Sequence, residues 1–171
     1  MIDLKKFREN SIGRGLCQGY TDMWDDDKSK RQLFELACDP NSVKFMAKSL
    51  SEGWGLSPEY IADKFRHYIN GKYICEYKNG KGNGYESTML CMYNEKTFTV
   101  NTTLLCVLSS NTTLEISPRH ICEIHVAGES NLHIEMGENS QCYVYLYGNN
   151  PVVSGDLTNK RLIIKRELEE K

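Results

Sequence analysis

From about Thr97 to Lys165, apolar residues recur at every second position in short runs. These are Leu104/Cys106, Leu114/Ile116, Cys122/Ile124/Val126, Leu132/Ile134/Met136, Cys142/Val144/Leu146 and Leu162/Ile164. Strict alternation predicts β-strands with one buried face, because successive side chains leave a strand on opposite sides. Asn, Gly, Ser and Pro fill the gaps, where turns need left-handed or fixed φ values. The interval is close to ten residues: Asn101-Thr102-Thr103-Leu104 returns as Asn111-Thr112-Thr113-Leu114. Doubling it aligns Leu104, Ile124, Val144 and Ile164, then Cys106, Val126 and Leu146, then Cys122, Cys142 and Leu162. Leu114 likewise aligns with Ile134, and Ile116 with Met136. Columns that stay apolar predict a β-solenoid with coils of about twenty residues, each coil touching only its neighbours. A β-roll or antiparallel meander would produce the same alternation. The repeat lacks the two-residue Asn-Gly turns that tight hairpins favour, so the solenoid is the preferred reading.

The first seventy residues carry a different period. Ser29 to Ala37 presents Leu33, Phe34, Leu36 and Ala37, with Asp39-Pro40 as its stop. From Ser42, a plausible N-cap, to Ser51, the residues Val43, Phe45, Met46 and Leu50 fit a 3.6-residue repeat. A third helix begins at Pro58 behind Ser57, with Glu59 at the positive end of its dipole and Asn70-Gly71 as its left-handed stop. Tyr73 to Tyr77 reads as a strand and Lys78 to Gly84 as a Gly-rich turn. That turn lacks the Lys-Ser/Thr ending of a phosphate loop. The fold class is therefore α+β. Residues 1–71 form a small helical unit, 72–96 a strand and Gly-rich connection, and 97–171 the repetitive β-unit with its charged tail.

Charge narrows the functional classes only slightly. The net charge is -2, with 14 basic and 12 acidic residues up to Tyr85 and 7 and 11 beyond it. There is no basic stripe of the kind duplex binding uses. Seven cysteines, an odd number without a CxxC pair, argue against a secreted disulfide scaffold. Read as buried free thiols, with no apolar segment at the N-terminus or of membrane-spanning length, they predict a cytoplasmic protein without a membrane partner.

The candidate chemistry is sparse. Asp25-Asp26-Asp27 could hold Mg²⁺ only if a loop made the carboxylates converge; ending one helix and opening the next accounts for them more simply. His120, Cys122 and His125 carry zinc-type ligand atoms, but alternation turns Cys122 inward and His125 outward, and no fourth ligand is evident. Cys38, Cys75 and Cys142 have no local base. No cofactor, metal or catalytic residue is therefore expected. Ser42–Ser51 followed by Pro58–Ile69 has the outline of a helix-turn-helix, with Lys64, Arg66 and His67 outward, although its turn is long. Nucleic-acid regulation by these residues is one alternative.

The outward side of the repeat is richer. Tyr143, Tyr145 and Tyr147 alternate on one strand; Glu123 and His125 precede them by one coil, and Ile163 and Lys165 follow by one. Aromatic rings beside polar groups suit a contact surface, for another protein or for self-association. The competing expectation is that the helical unit of the same chain covers these tyrosines. Sugars also stack on such rings, so a carbohydrate-binding solenoid is a second alternative, with Glu123 and Glu135 as outward carboxylates.

Gly15-Leu16-Cys17, Tyr20-Thr21-Asp22-Met23-Trp24-Asp25, Lys28-Ser29-Lys30-Arg31-Gln32-Leu33, Gly53 to Ile61 and Ile69 to Ile74 together resemble a family of short, uncharacterised bacterial and phage-type proteins from mobile elements. The resemblance covers most of the chain and is looser in the repeat. It implies a setting, a mobile-element or phage accessory factor, and it supplies no activity or catalytic residues. The expected function is thus non-enzymatic binding or assembly.

Overall fold

The structure is a computed structural model and describes residues 1–25, 27–37, 39–65, 73–78, 85–92 and 95–167. Among the described residues five helices come first, and their starts are traceable to a few residues. In α1 (Leu4–Gly13) the Asp3 carboxylate accepts from the Lys6 amide at 2.8 Å. α2 (Gln18–Met23) is held to α1 by Arg8, whose guanidinium donates to the carbonyls of Trp24 and Thr21. α3 (Lys30–Ala37) opens on a reciprocal pair: the Ser29 amide donates to Gln32 Oε1, and the Gln32 amide to Ser29 Oγ.

α4 (Pro40–Ser51) starts two residues before the expected Ser42. Asp39 takes the cap by accepting from the Asn41 amide, and Pro40, expected to end the preceding helix, occupies the first turn of this one. α5 (Pro58–Lys64) has Ser57 at its N-cap, but the Ser57 hydroxyl makes no cap bond there. The expected continuation to Ile69 lies outside the described residues, as does the Gly-rich turn at 79–84.

Among the described residues ten strands build two sheets. One has the order β1-β2-β4-β6-β8-β10, with β1 (Tyr73–Lys78), β2 (Tyr85–Met92), β4 (Leu104–Leu108), β6 (Ile121–Ala127), β8 (Gln141–Tyr147) and β10 (Leu162–Glu167). The other has the order β3-β5-β7-β9, with β3 (Phe98–Val100), β5 (Asn111–Ile116), β7 (Asn131–Met136) and β9 (Val152–Gly155). From β2 onward strands alternate between the sheets, and every pairing after the antiparallel β1–β2 is parallel. That is a β-solenoid of four two-strand coils, β3/β4 to β9/β10, and the meander is excluded. The strand expected at Tyr73 to Tyr77 is β1, and β2, which was not expected, joins it to the first sheet.

Registers of twenty residues run from β5 to β7, β6 to β8 and β8 to β10. Corners recur on the same interval. Gly128 and Gly148 hold φ of 72° and 76°, Ser109 holds 47° one coil earlier, and Arg119 and Asn139 hold 57° and 56° at the opposite corner. Glycine meets the left-handed requirement without strain, which suits Gly128 and Gly148. Corner serines satisfy buried backbone groups: Ser130 Oγ donates to the Ala127 carbonyl at 2.8 Å and accepts from the Ser110 amide at 3.2 Å.

The interior is a ladder of aliphatics. Leu105, Val107, Ile124, Val126 and Val144 come from the first sheet and Val100, Leu114, Leu132 and Ile134 from the second, all with 1% exposure or less. Burial of each such side chain contributes roughly 1.5–3 kcal/mol. Two expectations change here. β4 pairs with β6 at a step of nineteen, so Leu105 and Val107 align with Ile124 and Val126, and Leu104 and Cys106 point outward. Ile164, expected inside, is 38% exposed because β10 ends the sheet and no further coil covers it.

A second apolar layer lies on the outside of the first sheet. α4 packs on β4, β6 and β8. Phe7, Val43, Ala47, Trp54, Leu56, Ile61 and Phe65 from the helical unit meet Cys106, Leu108, Ala127 and Tyr147 from the strands. A Cβ added at Gly128 would come within 3.0 Å of the Leu50 side chain, so the corner glycine also lets the end of α4 approach. No helix among the described residues is long and apolar enough to cross a membrane.

Candidate contact face

Parallel in-register pairing arranges the outward residues of the first sheet in rows across the strands. Ile121 pairs with Gln141 in one row. Leu104, Glu123, Tyr143 and Ile163 form the next, and Cys106, His125, Tyr145 and Lys165 the one after. Leu108, Ala127, Tyr147 and Glu167 follow. The helical unit covers these rows unevenly. Cys106, Leu108, Ala127, His125 and Tyr147 are buried, at 4% exposure or less. Glu123, Tyr143, Tyr145 and Ile163 are half-buried, and Ile121 is 61% exposed.

The five residues expected on a contact surface are therefore neighbours, but they divide. Tyr147 lies beneath the helical unit, as the competing expectation held for the tyrosines, Tyr145 packs at the edge of the same cluster, and His125 is buried beside Tyr147. Tyr143 and Glu123 lie at the open side.

A hydrogen-bond chain links the two parts. His125 Nδ1 is 2.8 Å from the Tyr147 hydroxyl and Nε2 is 2.6 Å from Glu123 Oε1. Neutral imidazole satisfies both contacts with Nε2–H donating to the carboxylate and the phenol donating to Nδ1. The His125 ring stacks on Tyr145 with centroids 5.1 Å apart and planes at 13°, and Lys165 Nζ lies 5.9 Å from the Tyr145 ring centroid. Burial drives the Tyr147 phenol pKa up, with the Glu167 and Glu123 charges adding to the shift. Burial also lowers the His125 pKa, partly offset by the hydrogen bond and charge of Glu123; Lys44 lowers it further and Glu167 raises it. The chain reaches solvent at Glu123, whose side chain is 46% exposed. These contacts tie Tyr145 and Glu123 to buried groups at the margin of the open strip.

The pH consequence has a defined sign. His125 titrates near 6.5 when unfolded and lower when folded, so folding disfavours its protonation. Its stability contribution is complete above about pH 6.5 and is lost as pH falls through the folded pKa. Chemical denaturation between pH 7.5 and 5 is expected to show a steeper loss of stability in the native chain than in His125→Gln, by at most about one proton taken up on unfolding. Parallel slopes would remove His125 from the acid response.

The remaining candidates are dispersed. Lys64 is exposed and pairs with Asp63 at 2.7 Å, whereas Arg66 and His67 lie outside the described residues. His120 Nε2 contacts the Thr102 carbonyl, Cys122 faces the interior and His125 the helices. Asp25 accepts from the Asp27 amide and pairs with Lys28, and Asp26 is outside the described residues. No group of three metal-type side chains converges among the described residues. Glu123 and Glu135 project from different sheets and do not form a pair across one groove. Cys106, Cys122 and Cys142 are buried, and Cys17 is exposed.

The sequence reading turned Glu123, Tyr143 and Ile163 outward but placed Leu104 inside and left Ile121 unassigned, so it did not join them into one strip. One signal was available: Leu104 to Leu108 is apolar at all five positions, the mark of a strand buried on both faces. No protein-family model, curated protein or solved structure matches the chain.

Proposed function

We propose that the chain is a non-enzymatic binding or assembly protein, an accessory factor of a phage or mobile element, that docks another protein on the open strip of its first sheet. The supporting observation is the uneven cover of that sheet. Ile121, Tyr143 and Ile163 remain accessible on a rigid parallel ladder beside the Glu123 carboxylate, next to rows the helical unit seals. Aromatic and apolar groups concentrate in the core of an interface, and a carboxylate such as Glu123 belongs to its polar rim. The partner is accordingly an apolar protein surface carrying a lysine or arginine opposite Glu123. The mobile-element setting is supported by the resemblance of the helical segments.

The test compares the native chain with an Ile121→Ser/Tyr143→Ala chain as baits in lysate of the native host, with thermal unfolding as a control for fold. A specific protein, or further copies of the chain, retained by the native bait and lost by the equally stable variant supports the assignment. Identical retained sets contradict it.

A further inference from the structure

A cleft of about 70 Å³ opens inside the helical unit, away from the strip described above. It lies among α1 to α5, lined by Phe7, with Trp24, Leu33, Leu36, Phe45 and Met46 also in its walls. Phe7 is buried, but those five wall residues are only partly so, which leaves the cleft accessible from solvent. Its walls are almost entirely apolar. The polar side chains that reach it, Tyr20 and Ser42, are engaged: the Tyr20 hydroxyl donates to Asp39 Oδ1 at 2.6 Å, and Ser42 bonds to Tyr20. No lysine, arginine, aspartate or glutamate lines it among the described residues.

These features select a ligand. Water entering the cleft finds few free hydrogen-bonding partners, and an apolar space of this kind stays dry or takes up an apolar guest. A charged group would be desolvated without compensation. The size excludes bulky ligands: drug-sized molecules occupy roughly 300–1,000 Å³, and a cavity admitting benzene measures about 150 Å³. A slender chain fits, with its first carbons inside and the remainder leaving through the accessible side.

We infer that this cleft is a binding site for the uncharged alkyl chain of a small free molecule, held by Phe7, Trp24, Leu33, Leu36, Phe45 and Met46. The site is distinct from the contact face, since none of these residues lies on the first sheet, although both border one apolar cluster. Binding removes alkyl surface and cleft surface from water together, so affinity rises with chain length until the chain emerges from the cleft.

The probe is 1-hexanol, with hexanoate as its charged counterpart, followed through methyl resonances of the intact chain. Saturable shifts at the methyls of Leu33, Leu36 and Met46 with 1-hexanol, and weaker ones with hexanoate, support the site. Ala37→Phe, which places a ring in the cleft, is expected to abolish saturation. Leu33→Phe serves the same purpose from a half-exposed position if the first variant does not fold. Shifts that grow linearly with 1-hexanol, that are spread equally over solenoid methyls such as Ile124 and Leu132, or that persist unchanged in a folded blocked variant would overturn the assignment.

Discussion

Leu105→Ala is expected to destabilise the chain by about 2–5 kcal/mol, while Leu104→Ala, one residue away, stays below about 1.5 kcal/mol. Leu105 is fully buried and aligns with Ile124, which aligns in turn with Val144, so its truncation opens a cavity in the middle of the stacked ladder. The interior is packed from both sheets, and collapse around the void is limited because β2 on one side and the next coil on the other hold their registers. Leu104 points the other way, is only partly buried, and loses a marginal contact with the helical layer. Urea unfolding of both variants gives the comparison. Equal losses, or a larger loss for Leu104, would restore a twenty-residue step between β4 and β6 and reverse the facing of that strand.

Phe7→Ala is expected to cost about 3–5 kcal/mol and to weaken the attachment of the helical unit to the first sheet. Phe7 is 3% exposed and central to an aromatic group: its ring centroid lies 4.9 Å from that of Trp24, 5.9 Å from Trp54 and 6.2 Å from Phe45. α1, α2 and α4 meet there, and the same apolar cluster continues through Val43 and Ala47 to Cys106, Ala127 and Tyr147 on the strands. Removing the ring takes contacts from all three helices at once. Thermal unfolding measures the loss, and near-ultraviolet circular dichroism reads the tryptophan packing. A change under about 1 kcal/mol with an unaltered aromatic spectrum would show that this group is not what joins the helices.

The two variants mark where the sequence was legible and where it was not. Alternation with a fixed interval is a direct imprint of coil stacking, so the solenoid, most interior columns and the outward set Glu123, His125, Tyr143, Tyr145 and Tyr147 could be read from it. Phase is carried only by the polar residues between apolar ones. Where a strand is sealed on both faces, as at Leu104 to Leu108, that information vanishes and the facing came out one residue wrong. α1 and α2 were not resolved individually because their apolar residues are few and bury against distant parts of the chain. Phe7 meets Trp54 and Phe45, contacts that no local period encodes. The division of the contact face had the same origin. The approach of α4 to β6 and β8 seals Tyr147 and His125, and stops short of Tyr143 and Glu123.

Stacking in parallel register underlies the interior ladder, the rows of the contact face and the placement of the helical unit. Inter-strand nuclear Overhauser effects test it most directly. The solenoid predicts amide-to-Hα contacts between residues twenty apart, linking the Ile124 and Val144 segments and the Leu114 and Ile134 segments. Close Hα–Hα contacts between consecutive strands, Ile121–Ala127 with Asn131–Met136, would instead show an antiparallel meander and contradict the fold.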